Sequence, residues 1–302
     1  MTQKRKPAIG LALGSGSARG WAHIGVIHRL EKAGIVPDLV CGTSIGALVG
    51  AAYAAGELPR LERWARSLTW QGVVGFLDLS MNGGLIKGAK LIDFFRSEFK
   101  DRDIEALDRK YGAVATELQS GREIWLTEGS VFDSVRASIS LPGLFTPFEH
   151  DQRLLLDGGL VNPVPVSLAR ALGADVVIAV DLNADLVGRH HRGANHDPDP
   201  EPEREPTVLE RLHARIASAF GSPKDGDAPS LLDVLSASIN IMQVRITRSR
   251  LAGEPADVLI SPRLSHLALM DFHRAPEAIE EGGRAASDAA EQVKSLIGDS
   301  FA

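Results

Sequence analysis

The sequence predicts an α/β domain: a mainly parallel central sheet flanked by helices on both faces in three layers, with a C-terminal helical extension. Three observations carry that expectation. Short apolar runs alternate with stretches of helical periodicity from the N-terminus onward. The first two runs end in turns rich in glycine and serine, as strand-to-helix crossings do. With 302 residues, 44% apolar and 24% charged, the chain can bury one large core or two small ones.

The elements follow in order. Ala8–Leu13 is a short apolar strand, followed by a glycine-rich turn and by Trp21, Ile24, Ile27 and Leu30 at helical spacing up to Gly34. Asp38–Cys41 meets Gly42-Thr-Ser-Ile-Gly46, after which Leu48, Val49, Ala52 and Tyr53 continue as a helix to Gly56. From Leu61 to Phe99 the pattern is loosely helical and apolar around Asn82-Gly83-Gly84, a candidate lid. Strands return at Tyr111–Leu118 and Glu123–Thr127, then a helix at Val131–Ser138, a strand at Leu154–Leu156 and a helix after Pro165. Val176–Val180, ending in Asp181, is expected to complete the sheet.

Residues 1–184 thus form the predicted core. The span 185–230 reads as a mobile linker with a short helix, because Gly188–Pro206 is dominated by His, Asp, Glu, Arg and Pro and cannot bury enough apolar surface to offset its ordering entropy. Residues 231–302 read as helix, strand and helix. Leu232, Leu235, Ile239, Met242 and Ile246 mark the core face of the first helix, and Val258–Ile260 is the strand.

Composition excludes several classes. Lys and Arg number 33 against 39 Asp and Glu, a net charge of −6, which does not suit a nucleic-acid binder. Cys41 stands alone, so no intramolecular disulfide forms, and no Cys/His spacing suggests zinc. No segment approaches the roughly 20 apolar residues of a membrane helix, and the apolar stretch after Lys4-Arg5-Lys6 is too short for a signal core. The expectation is a cytoplasmic protein without metal or organic cofactor, free to work peripherally at the inner face of a membrane.

Two turns carry chemistry. Gly42-Thr43-Ser44-Ile45-Gly46 matches G-x-S-x-G, the elbow in which a sharp strand-to-helix turn lifts a serine hydroxyl clear of the sheet. Gly42 and Gly46 leave room for so tight a turn, and the helix that follows aims N–H groups at the site. The earlier loop Gly14-Ser15-Gly16-Ser17-Ala18-Arg19-Gly20 presents consecutive backbone N–H groups to an anion. A dinucleotide fold would need glycine where Arg19 stands and an acid where Cys41 stands. A Walker loop would need Lys-Ser/Thr after Gly20, where Trp21 stands. An oxyanion hole beside Ser44 is the alternative, with Gly14, Ser15, Gly16, Ser17 and Ile45 as candidate donors.

For a base, His266 or His273 could close a triad with Asp157 or Asp181, but neither histidine follows a convincing strand. Asp157 is delivered by Leu154-Leu155-Leu156 at a strand end, with Gly158 and Gly159 removing side chains just beyond it, so its carboxylate can serve as base directly.

In these features the chain resembles the patatin-like phospholipase family, with its closest likeness to the bacterial RssA-type branch. The matching residues are the loop with Arg19-Gly20, the elbow Gly42–Gly46, Ala137-Ser-Ile-Ser-Leu-Pro142-Gly-Leu-Phe145-Thr-Pro147 and Asp157-Gly-Gly159. The likeness covers roughly Ile9 to Leu182, with a weaker echo around Asp257–Arg274. It implies a patatin-like three-layer fold and a Ser44–Asp157 dyad in place of a triad. It further implies a lipid or other acyl-ester substrate, hydrolysed as a phospholipase A or lysophospholipase would, at a membrane surface in the case of a lipid. Arg19 and Gly20 would support the loop. The family's loop is G-x-G-x-x-G, and Ser15 and Ser17 replace two of its glycines. A left-handed backbone at either would cost about 1–2 kcal/mol. The apolar stretch 64–99, with Leu141, Leu144, Phe145 and Phe148, is the candidate acyl pocket or lid, with core packing the alternative for each residue taken singly. A triad esterase and a catalytically silent regulatory protein are the rival readings, and the oligomeric state stays open.

Overall fold

A computed structural model describes residues 6–75, 96–97, 100–186 and 231–299. The expected linker from residue 187 to 230 and most of the apolar stretch beyond residue 75 lie outside the described residues.

Eight strands form one sheet. Its parallel part runs β3 (Lys110–Glu117), β2 (Leu39–Thr43), β1 (Ile9–Leu13), β7 (Val176–Val180), β8 (Val258–Ile260). β1 at its centre is buried along its whole length, which is why it reads as a continuous apolar run. Three antiparallel strands extend the sheet beyond β3: β4 (Glu123–Leu126), β5 (Phe148–His150) and β6 (Arg153–Asp157).

Alternation along the strands feeds two cores. Ile9, Leu11 and Leu13 face one side with α1 (Ala22–Lys32) and α2 (Ile45–Ala54). Ala12, Leu39, Cys41, Val177 and Ala179 face the other with Val166, Leu168 and Ala169 of the short helix Val166–Ala171. Three layers result, as expected.

Two expectations change. The sheet does not end at β7, since β8 pairs with it in parallel (Ile178 with Val258, Val180 with Ile260). Three residues give too short a signal for that pairing to be read. Likewise β5 forms a hairpin with β6, so Phe148 is a strand residue stacked on His150. The expected C-terminal helical extension is the helix Ala275–Asp299, which covers α1 at very close range. A Cβ on Gly25 would lie 1.8 Å from the Ile279 carbonyl oxygen, and one on Gly282 would lie 2.0 Å from that of Ala22.

The helix Leu231–Gly253 is also turned from its expected face. Met242 is 48% exposed, whereas Ile239, Gln243, Val244 and Thr247 are buried. Apolar periodicity misjudged the rotation because two of the inward positions are polar.

Gly25→Ala should lower stability by about 1–3 kcal/mol through overpacking against the C-terminal helix, seen as a lower urea midpoint with unchanged slope. Gly34→Ala, where an added Cβ meets nothing within 4 Å but φ is +81°, tests backbone strain separately.

Candidate active site

The site begins with how three strands share edges. β3 carries β4 along one edge over Ala113–Thr116. Its other edge is occupied end to end: β2 pairs as far as Thr43 with Val114, and β6 takes over with Asp157 opposite Ala115. Ser44 follows Thr43 directly. Two residues distant in sequence are therefore delivered to consecutive positions of one strand.

Ser44 has φ 58° and ψ −125°, a conformation rare for a residue with a side chain, between β2 and α2. The glycines around it are sterically required. A Cβ on Gly42 would lie 2.2 Å from Gly46 carbonyl atoms, and one on Gly46 would lie 2.2 Å from the Leu13 carbonyl oxygen. The turn is held by the Ser44 N–H donating to Ser138 Oγ (2.8 Å), whose hydroxyl donates in turn to the Val114 carbonyl (2.6 Å).

Ser44 Oγ donates to Asp157 Oδ2 at 2.6 Å. Asp157 is fully buried, and its other oxygen, Oδ1, accepts the Gly159 N–H at 2.7 Å. Burial pushes its pKa up from 3.8 to about 6, while the bonds from Ser44 and Gly159 pull the other way. The backbone is pinned as well, by Asp157 N–H to the Ser140 carbonyl and Thr116 Oγ1 to the Asp157 carbonyl.

The glycine-rich loop divides the five candidate donors. Gly14 N–H donates to the Val180 carbonyl (3.0 Å) and Ser15 N–H to that of Pro163 (2.8 Å), so neither amide is available to an oxyanion. They tie the loop to the sheet instead. The N–H groups of Gly16, Ser17 and Ile45 make no hydrogen bond among the described residues, and these three residues line one cavity with Ser44. Of the two serines that depart from the family's loop, Ser17 alone is left-handed (φ 52°), and its hydroxyl donates to the Leu269 carbonyl at 2.7 Å.

Arg19 supports the loop from within. Its Nε donates to the Gly16 carbonyl (3.1 Å) and its Nη2 to Asn240 Oδ1 (3.2 Å). Burial lowers its pKa to about 10, opposed by the carboxylates of Asp185 and Asp181, so it stays charged. His23 Nε2 donates to the Gly14 carbonyl at 2.8 Å, and burial holds its pKa near 4, hence a neutral ring. Sequence reading gave His23 no role, since nothing in helical spacing reveals a partner across the loop.

The candidate histidines lie elsewhere. His266 pairs with Glu277 at 2.7 Å on the surface, and His273 packs against the Trp70 ring. Among the described residues no histidine bonds to Ser44 or Asp157.

The cavity above Ser44 has a volume of about 110 Å³ and is walled chiefly by apolar side chains. Trp64, Leu68 and Val73 come from the expected lid region, and Leu141, Leu144 and Phe145 from the expected acyl segment. Phe148 does not line it. Ile239, Asn240, Gln243, Leu269, Met270 and Phe272 close the far wall, a contribution of the C-terminal segment. Among the described residues no helix is long and apolar enough to cross a membrane.

Residues 11–170 match the family model for patatin-like phospholipase. An uncharacterised NTE family protein of Mycobacterium tuberculosis is 36% identical, over 94% of this chain and 92% of the relative. Human patatin-like phospholipase domain-containing protein 6 is 38% identical over 58% of this chain but 13% of its own length. The crystal structure of VipD from Legionella pneumophila superposes with a TM-score of 0.47 at 12% identity, covering 95% of this chain and 67% of that one. These matches identify a family and do not distinguish the RssA-type branch.

The raised pKa of Asp157 has a consequence for stability. The folded state holds the proton more tightly than the unfolded chain, so this contribution is present below pH 3.8 and is lost as pH rises through about 6. Asp157→Asn removes the buried charge and keeps the bond from the Gly159 N–H, while its amide nitrogen donates to Ser44 Oγ in place of accepting from it. It should equal the parent at pH 4 and exceed it at pH 8 by on the order of 2 kcal/mol in chemical denaturation.

Proposed function

Because the chain belongs to the patatin-like phospholipase family, a family of lipid hydrolases, we propose that it is a serine acyl-ester hydrolase of phospholipase A or lysophospholipase type. Ser44 is the nucleophile and Asp157 its general base. The observation that carries this reading is the 2.6 Å hydrogen bond between them at the floor of an apolar cavity.

In the first half-reaction Ser44 Oγ attacks the ester carbonyl carbon while its proton passes to Asp157 Oδ2. The carbonyl oxygen becomes an oxyanion facing the N–H groups of Gly16, Ser17 and Ile45, where one such donor is worth about 2.7–4 kcal/mol. As the tetrahedral intermediate collapses, the carboxylic acid returns the proton to the departing alkoxide, leaving an acyl-serine. In the second half-reaction water gives a proton to Asp157 and attacks the acyl carbon, and Ser44 recovers that proton as the fatty acid leaves.

The elevated pKa suits this work. An ordinary carboxylate is a weak base toward a hydroxyl, and burial makes Asp157 a stronger one that is still ionised at neutral pH. The apolar wall takes the acyl chain and keeps bulk water from the carboxylate. Lipid at a membrane surface fits such a wall, and small acyl esters would enter it too.

An activated fluorophosphonate should label the protein stoichiometrically, and Ser44→Ala should abolish labelling. Asp157→Asn should slow turnover at least about 10²-fold, whereas His266→Ala and His273→Ala should change it less than about threefold. Loss of turnover in either histidine variant with unchanged folding would restore the triad. The pH profile of kcat/KM for a soluble ester should rise with an apparent pKa of about 6 as Asp157 ionises.

A further inference from the structure

The helix Leu231–Gly253 places a buried polar side chain, Gln243, in the wall of the cavity beside Asp157 and Ser44. Buried polar groups have partners, and the partners of Gln243 are unevenly shared between its two ends.

Asn183 settles which end is which. Its Nδ2 lies 3.1 Å from the Ser15 carbonyl oxygen, which can only accept, so that atom is the nitrogen. The same nitrogen lies 3.2 Å from the Gln243 side chain and must meet an oxygen there. Gln243 Oε1 therefore accepts from Asn183 Nδ2 and from Ser15 Oγ at 3.4 Å. Its amide nitrogen faces Gly159, where an added Cβ would lie 2.4 Å from Nε2, 2.9 Å from Ser15 Oγ and 3.0 Å from Asp157 Oδ1. Among the described residues Nε2 makes no hydrogen bond. An oriented donor thus stands over the turn that follows the carboxylate, in a cavity whose other walls are mostly apolar.

We propose that Gln243 is a specificity-determining residue: its side-chain N–H groups donate to a hydroxyl or ether oxygen on the alcohol portion of the ester, next to the scissile bond. The inference rests on the Ser44–Asp157 reading above. It selects esters of a polyol such as glycerol over esters of a simple alkanol. The apolar walls recognise the acyl chain and offer nothing to an oxygen-bearing alcohol, while the departing alkoxide must lie near Asp157 to receive its proton. Ser15 acquires a role as well. Where the family's loop has glycine, its hydroxyl donates to Oε1, and so it acts as a positioning residue for the Gln243 amide.

The test crosses two substrates with three forms of the full chain. The substrates are 1-acylglycerol and the propyl ester of the same fatty acid, which lacks the extra hydroxyls. The forms are the parent, Gln243→Met, which has similar bulk and no donor, and Ser15→Gly, which frees Oε1 of one restraint. The parent should favour the glycerol ester by about tenfold or more in kcat/KM. Gln243→Met should cut that preference about tenfold, and Ser15→Gly should cut it less, with the change in KM rather than kcat. The rate of fluorophosphonate labelling in each form reports the dyad independently of the alcohol.

A parent that labels but shows no preference for the glycerol ester overturns the proposal, as does a Gln243→Met form that loses both substrates equally. A parent that fails to label overturns the dyad reading instead.

Discussion

One edge of one strand organises this molecule. β2 and β6 dock end to end on the same side of β3, the first parallel and the second antiparallel, and their ends meet at Val114 and Ala115. Ser44 and Asp157 are brought together by backbone pairing, before any side-chain contact is counted. Because strand registers are fixed by ladder hydrogen bonds and by the face on which each side chain packs, a one-residue slip of either strand would carry its side chains to the opposite face of the sheet. The 2.6 Å separation is thus enforced by the same interactions that hold the sheet.

That enforcement holds a buried carboxylate in place. Asp157 is fully buried with two hydrogen bonds to its carboxylate, and its raised pKa records a desolvation cost that the sheet absorbs. Ser44 and Ser17 hold backbone conformations that L-residues rarely adopt, each restrained by named hydrogen bonds. Strain and burial are thus concentrated at one spot, where the sheet and the loop hold them in place.

The C-terminal segment has more to do with the site than its distance in sequence suggests. Leu269 accepts from the Ser17 hydroxyl and the Ala18 amide, Asn240 accepts from Arg19, Phe272 accepts from the Trp21 indole, and Gln243 meets Ser15. Every one of these bonds lands on the glycine-rich loop or the residue that follows it. The family model ends at residue 170, yet the loop it contains is held from residues 240–272. This accounts for the tolerance of serine at 15 and 17, since each hydroxyl finds a partner on that segment.

The sequence by itself determined the layered α/β fold, the elbow at Gly42–Gly46, the loop at 14–20 and the Asp157 turn. Each of these is written in local steric and periodic rules that act over a few residues: strand period, helix period, and glycine where a side chain would strike backbone. Tertiary structure alone decided the rest. It commits the Gly14 and Ser15 amides to carbonyls of Val180 and Pro163, moves Phe148 out of the cavity, adds β8 to the sheet, and rotates the helix Leu231–Gly253 to present Gln243 rather than Met242. Those outcomes depend on partners far along the chain, and an apolar pattern reports how much surface a residue will bury without saying which neighbour will cover it.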